Sequence, residues 1–214
     1  MSRKRIELED SQEEIREVRR PGQGAREMQQ QLAKDAPIKT FFTRLFGIHT
    51  DERAWRLGAE GEEQVGALLE GLRPHGWAVE HDVTIGQKGA NVDHLVIGPP
   101  GVFVINTKLV SADVWVSGPV VKVGAFRTDF VEKLEAEAMR VRKKLLAATG
   151  QRALWVQGLL VFVRPTLRVK RQPRHVAVLA DRELVPRLLQ QEVTLGHDEV
   201  AALARAARVD STWR

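Results

Sequence analysis

The chain has 214 residues, a net charge of +5 and no cysteine. Disulfides and thiolate metal sites are therefore excluded, and the composition suits a reducing cytoplasm. No window reaches the roughly 18 apolar residues of a membrane span, and the opening MSRKRIELEDSQEE lacks the apolar core of a signal peptide.

Residues 1–50 read as a charged, flexible N-terminal arm, and residues 51–214 as the globular domain. The first 20 residues mix Arg, Lys, Glu and Asp and offer little to bury. Pro21, Gly22 and Gly24 break any helix that begins there. In APIKTFFTRLFGIHT, residues 36–50, the side chains of Ile38, Phe41, Phe42, Leu45 and Phe46 recur at helical spacing. This short helix either lies on the domain or offers an apolar face to a protein partner or a second copy of the chain.

From Asp51 onward, Val65, Leu68, Leu69 and Leu72 mark a helix, and WAVEHDVTI alternates as a strand does. GANVDHLVIGPPGVFVINTK follows, two strands about a Gly-Pro-Pro-Gly turn, and DVWVSGPVVKVG gives two shorter strands. DFVEKLEAEAMRVRKKLLAATG is the clearest helix, with Gly150 placed for a C-terminal cap. VQGLLVFVRP reads as a buried central strand stopped by Pro165, RHVAVLA as another, and two helices end the chain. The order predicts an α/β sheet with helices against its faces.

Strand alternation places Asn91, Asp93, Leu95 and Ile97 on one face of the first long strand, with His94 on the other. In the second strand Val102, Val104, Asn106 and Lys108 share a face. If the two pair across the turn, Asp93 approaches Asn106 and Lys108 near the sheet's end. An unpaired buried charge is costly, so these groups must meet each other, a metal ion or water. Two readings follow. One is an Asp–Lys salt bridge. In the other, the carboxylate holds a hard cation such as magnesium and the ammonium steadies a phosphate, which is the chemistry of phosphodiester hydrolysis.

The segments GAEGEEQVGALLEGL, GANVDHLVIGPPGVFVINTK and VWVSG resemble the nuclease-related domain (NERD) family of the PD-(D/E)XK nuclease superfamily. The similarity runs from about Trp55 to Ala180. It implies a restriction-endonuclease-like α/β/α sandwich with a mixed central sheet. It also implies a magnesium- or manganese-dependent endonuclease or exonuclease acting on nucleic acid, DNA above all. Asp93 falls on the first acidic metal ligand, Asn106 on the second acidic position and Lys108 on the lysine. Glu62 falls on the first-helix glutamate, and Thr107 would lend its backbone carbonyl.

Asn106 departs from the pattern, because an amide oxygen brings no charge to the metal. Either Glu62 and Asp93 hold an ion in a weakened nuclease, or catalysis is lost and a noncatalytic nucleic-acid-binding module remains. Among secondary candidates, His94 is assigned to the core and Glu60 and Glu63 to solvent. Gly58 and Gly61 either permit close approach of the helix or only a turn. Glu137 and Arg140 on the long helix either face the cleft or, as the default, lie on a solvated face. Arg127, Arg142, Lys143 and Lys144 either meet phosphates or, in the RVRKK run, complement a helix C-terminus.

Overall fold

The structure is a computed structural model and describes residues 14–32, 51–85 and 90–214. The Phe-rich stretch 36–50 lies outside the described residues. In chain order the elements begin with α1 (Gln23–Leu32), α2 (Asp51–Glu70), β1 (Ala78–Ile85), β2 (Ala90–Gly98) and β3 (Gly101–Leu109). Next come β4 (Val114–Ser117), β5 (Val120–Val123), β6 (Phe126–Thr128) and α3 (Phe130–Thr149). The chain continues with β7 (Val156–Val163), β8 (Leu167–Arg171), β9 (Val176–Ala180), α4 (Asp181–Leu189) and α5 (His197–Arg208).

The central sheet has the order β1-β2-β3-β7-β9. The β1–β2 and β2–β3 pairs are antiparallel; β3–β7 and β7–β9 are parallel. Gly98 pairs with Gly101, so the Pro99-Pro100 turn closes the β2–β3 hairpin as its sequence predicts. β7 lies between two parallel neighbours, and its continuous run of apolar residues is covered on both faces. On one face Leu95, Val104 and Phe162 pack with Leu134 and Val141 of α3 and Leu203 of α5. On the other, Val96, Ile105 and Leu159 pack with Val65 and Leu69 of α2 and Leu184 of α4. The result is a helix–sheet–helix sandwich with a core in each interlayer, as expected. Leu68, assigned by its spacing to the apolar face, is instead exposed.

α3 spans the length its periodicity predicts. Gly150 caps it at φ 68°, and the Gly150 N–H donates to the Leu146 carbonyl at 3.0 Å. A second sheet, ordered β6-β5-β4-β8, adjoins this layer. β4 and β5 are the two short strands expected. β6 and β8 carry no such signal: LRVKR has only one alternate apolar pair and takes its shape from the parallel β4. Val114, Val116, Val121 and Val123 of this sheet join the same core as Phe130 and Leu134.

The N-terminal stretch differs from a solvated arm over its described part. Ile15 bridges Val209, the Arg16 N–H donates to the Arg208 carbonyl at 2.7 Å, and the Asp210 N–H donates to Glu14 at 3.0 Å. The helix follows Pro21-Gly22 instead of ending there, since proline is tolerated at a helix start. Pro21 lies against Gly66 so closely that a Cβ there would stand 2.4 Å from the proline Cγ. Charged side chains in this stretch meet charged partners on the domain, which hydrophobic periodicity cannot reveal.

Between β1 and β2, His81 and His94 are buried with their Nδ1 atoms 2.8 Å apart, and His81 Nε2 lies 2.8 Å from Glu70. Burial holds both imidazoles below their usual range, His94 furthest. A histidine whose folded pKa is depressed leaves the folded state short of a proton once pH falls below the unfolded value of about 6.5. Stability is therefore intact above that pH and declines as pH falls toward the folded value. Replacing His94 with leucine should remove the His94 share of that decline. We expect the stability of His94→Leu relative to the parent to rise by about 1.4 kcal/mol per pH unit below ~6.5. Denaturant melts at pH 7.5 and 5.5 read this directly, and a difference independent of pH would contradict it.

Candidate functional site

The β1–β2 register pairs His81 with His94 and Val83 with Val92, which sets Asp82 opposite Asp93. Like charges directly across a ladder repel. Asp82 relieves this by turning out of the ladder at φ 49°, a conformation few non-glycine residues adopt. Its Oδ1 accepts from the Asn91 amide at 2.8 Å, and Arg19 Nε stands 2.8 Å from Oδ2. Burial pushes the Asp82 carboxyl up, while Arg19 and the Gly24 N–H pull it back.

Asp93 stays at the sheet's end, where its Oδ2 accepts the Thr107 backbone N–H at 2.7 Å. Burial pushes this carboxyl up as well, against the charge of Lys108 and the Thr107 hydrogen bond. Lys108 Nζ donates to the Thr107 carbonyl at 3.0 Å and sits 5.3 Å from the centroid of the Phe130 ring at the start of α3. That backbone oxygen keeps a second lone pair.

Glu62 arrives from the opposite layer on α2. Gly61 makes that approach possible, since a Cβ there would stand 3.1 Å from Leu109 Cβ and 3.4 Å from Thr107 Cγ2. Gly58 faces open space and has no such role. The Glu62 carboxyl is pushed up to about 9, first by burial and then by Asp93, with Lys108 and the Gly22 N–H opposing. Glu137 of α3 is pushed up to about 7 by burial and Asp93, again against Lys108. Glu62, Asp93 and Glu137 thus share one electrostatic environment around one ammonium group. All three are half-buried, so solvent reaches part of the cluster.

Asn106 is also half-buried, on the Asp93–Lys108 face by alternation, and its amide makes no hydrogen bond to a described residue. His94 points the other way, into the histidine pair. Glu60 is exposed, 3.8 Å from Arg164, and Glu63 accepts from Arg26 at 2.7 Å. Arg142 is committed to the Leu154 carbonyl at 2.8 Å.

Two further acidic groups belong to this environment. Glu137 takes the cleft-facing alternative over the solvated default, because it neighbours Ala138 at the margin of the helix's apolar stripe. Asp82 is the residue that periodicity misses, although an aspartate between buried strand positions in AVEHDVTI is a readable signal.

The available donors are oxygens only: the Glu62 and Asp93 carboxylates, the Asn106 amide and the Thr107 carbonyl. That set fits a hard divalent ion. Its charge is low, and no group of three His, Cys, Asp or Glu among the described residues is placed to hold an ion. Two carboxyls that burial pushes up, Glu62 further raised by Asp93, are nevertheless a place where a cation is welcome.

A mixed sheet between helices, carrying acidic groups and a lysine at the end of a strand pair, defines a nuclease-like α/β domain. Residues 57–163, half of the chain, match the nuclease-related domain, and the chain belongs to that family. Placement in the PD-(D/E)XK superfamily accords with this. No curated protein and no solved structure matches the chain.

A carboxyl whose folded pKa is raised contributes most below its unfolded value, near 4.3, and loses that contribution as pH climbs toward about 9. Glu62→Gln should therefore raise the Tm of the metal-free protein by several degrees at pH 8 and by little at pH 4.5. An equal shift at both would refute the protonated Glu62. Titration with manganese at pH 7.5 should likewise expel about one proton per ion. Calorimetric heats that scale with the buffer's ionisation enthalpy would show it; buffer-independent heats would not fit.

Proposed function

We propose that the protein is a divalent-metal-dependent nuclease that hydrolyses phosphodiester bonds, with DNA as its substrate. One observation carries this reading: Glu62 from a helix layer and Asp93 from the sheet are both pushed up by burial, and Lys108 is the cation that opposes the rise at each. Family membership supports the reaction class.

Glu62, Asp93, the Asn106 amide oxygen and the Thr107 carbonyl would hold magnesium or manganese, which supplies Lewis-acid polarisation of the phosphoryl oxygen. Lys108 is aimed by the Thr107 carbonyl and the Phe130 ring, leaving ammonium protons to meet a phosphate oxygen or orient a water. Glu137, with a pKa of about 7, can take up or return a proton near neutrality. Asp93 is held in place by the Thr107 N–H on Oδ2 and would offer its carboxylate to the ion.

A second reading, a noncatalytic nucleic-acid-binding module, is favoured by Asn106 at an acidic position and by the scarcity of carboxylates. Supercoiled plasmid with magnesium or manganese separates the two. Cleavage by the parent should fall at least a hundredfold in Asp93→Ala and Lys108→Ala and rise in Asn106→Asp, which restores the absent charge. Salt-sensitive binding with no metal-dependent cleavage, in the parent and in Asn106→Asp alike, would establish the binding module instead.

A further inference from the structure

The second sheet has two unlike faces. Its inner face is the valine layer that joins the main core. Its outer face can be read from the register, because residues directly opposite across a ladder lie on the same side. Arg127 pairs with Lys122, Lys122 with Trp115, and Trp115 with Arg168. One row therefore crosses all four strands and holds three cations and a tryptophan. At strand spacings of about 4.8 Å the row is ~14 Å long. Arg171, opposite Ser117, adds a fourth cation on the next rung.

These side chains are exposed, Trp115 at 39%. The four strands contain no Asp or Glu, and Asp113 and Asp129 lie in the flanking connections. Among the described residues Lys122, Arg127, Arg168 and Arg171 have no ion-pair partner. The one contact within the row is Lys122 Nζ, 5.7 Å from the centroid of the Trp115 ring. A row of cations with no counter-charge and a large exposed ring is not needed to fold the sheet, whose valines already anchor it.

The sheet that carries this face is tied to the candidate site through its inner side. β3 carries Lys108 and enters β4 after a short connection, and Val114 and Val116 pack in the core that contains Phe130, the ring beneath the lysine.

The geometry points to this outer face as a binding platform for single-stranded nucleic acid, with Trp115 stacking on an unpaired base and the flanking Lys122, Arg127 and Arg168 following the phosphates. Base–aromatic stacking combined with a cationic track is the physical basis of single-strand binding without sequence preference. A duplex keeps its bases stacked and offers the ring nothing, so Trp115 should discriminate between the two. The proposal rests on the nucleic-acid reading above and specifies the form of its substrate.

Fluorescence anisotropy of a labelled oligo(dT) strand and of a duplex of equal length, with chelator present to prevent cleavage, tests it. The parent should bind the single strand more tightly. Trp115→Ala should weaken that binding about tenfold and leave the duplex unaffected, whereas Trp115→Phe should restore most of it. Lys122→Glu with Arg127→Glu should weaken binding to both and flatten the salt dependence. Circular dichroism checks that each variant is folded.

Unchanged oligo(dT) affinity in Trp115→Ala and in the double variant, with a parent that binds or cleaves DNA, would overturn the platform and leave the nuclease reading standing. A parent that neither binds nor cleaves any nucleic acid would overturn both. Preference of the same face for polyglutamate or for anionic vesicles over oligo(dT), lost in the double variant, would reassign it to an acidic protein or a lipid surface.

Discussion

Too many carboxyl groups share the end of this sheet for the positive charge available there. Burial drives Asp93, Glu62 and Glu137 each toward protonation, Asp93 adds to the rise at Glu62 and Glu137, and Lys108 is their common counter-charge. Such an arrangement is unfavourable for an isolated domain, and proteins tolerate such costs where function requires them. Several local features follow from it. Asp82 leaves the ladder opposite Asp93 and finds Arg19. The Thr107 N–H is spent on Asp93, and the Gly22 N–H on Glu62.

Two apolar layers hold this cluster in place. The α3 layer fixes Phe130 beneath Lys108 and carries Glu137; the α2 layer brings Glu62 across through Gly61. Neither layer alone would assemble the site, because its carboxyl groups come from both sides of the sheet. The N-terminal stretch adds a third support. Pro21 lies in the notch at Gly66, and Arg19 and Gly22 reach the two acids on that side. What would otherwise be loose charged chain thereby supplies counter-charge and hydrogen bonds to the site's margin.

The main sheet was legible because its signals are strong and local. The Gly-Pro-Pro-Gly turn fixed the β2–β3 register, and alternation then put Asp93, Asn106 and Lys108 on one face. The continuous apolar run of β7 declared a central strand. β8 was not legible, since a strand that buries little and borrows its pairing from β4 has neither alternation nor an apolar run. The docking of residues 14–24 was hidden for a similar reason: it depends on Arg19 meeting Asp82, two charges far apart in sequence. Glu62 was reached through family resemblance rather than periodicity, because helix phase alone does not say which of Glu60, Glu62 and Glu63 turns inward. Glu137 was only an alternative, because a carboxylate at the margin of an apolar stripe reads as solvated by default until the sheet beneath it is known.

Crystals soaked in manganese and measured for anomalous scattering test the central claim most directly. The account predicts a peak bonded to the Asp93 and Glu62 carboxylates, with the Thr107 carbonyl oxygen beside it and Lys108 Nζ nearby. A map in which manganese binds elsewhere, or leaves Glu62 and Asp93 without an ion at saturating concentration, would contradict it.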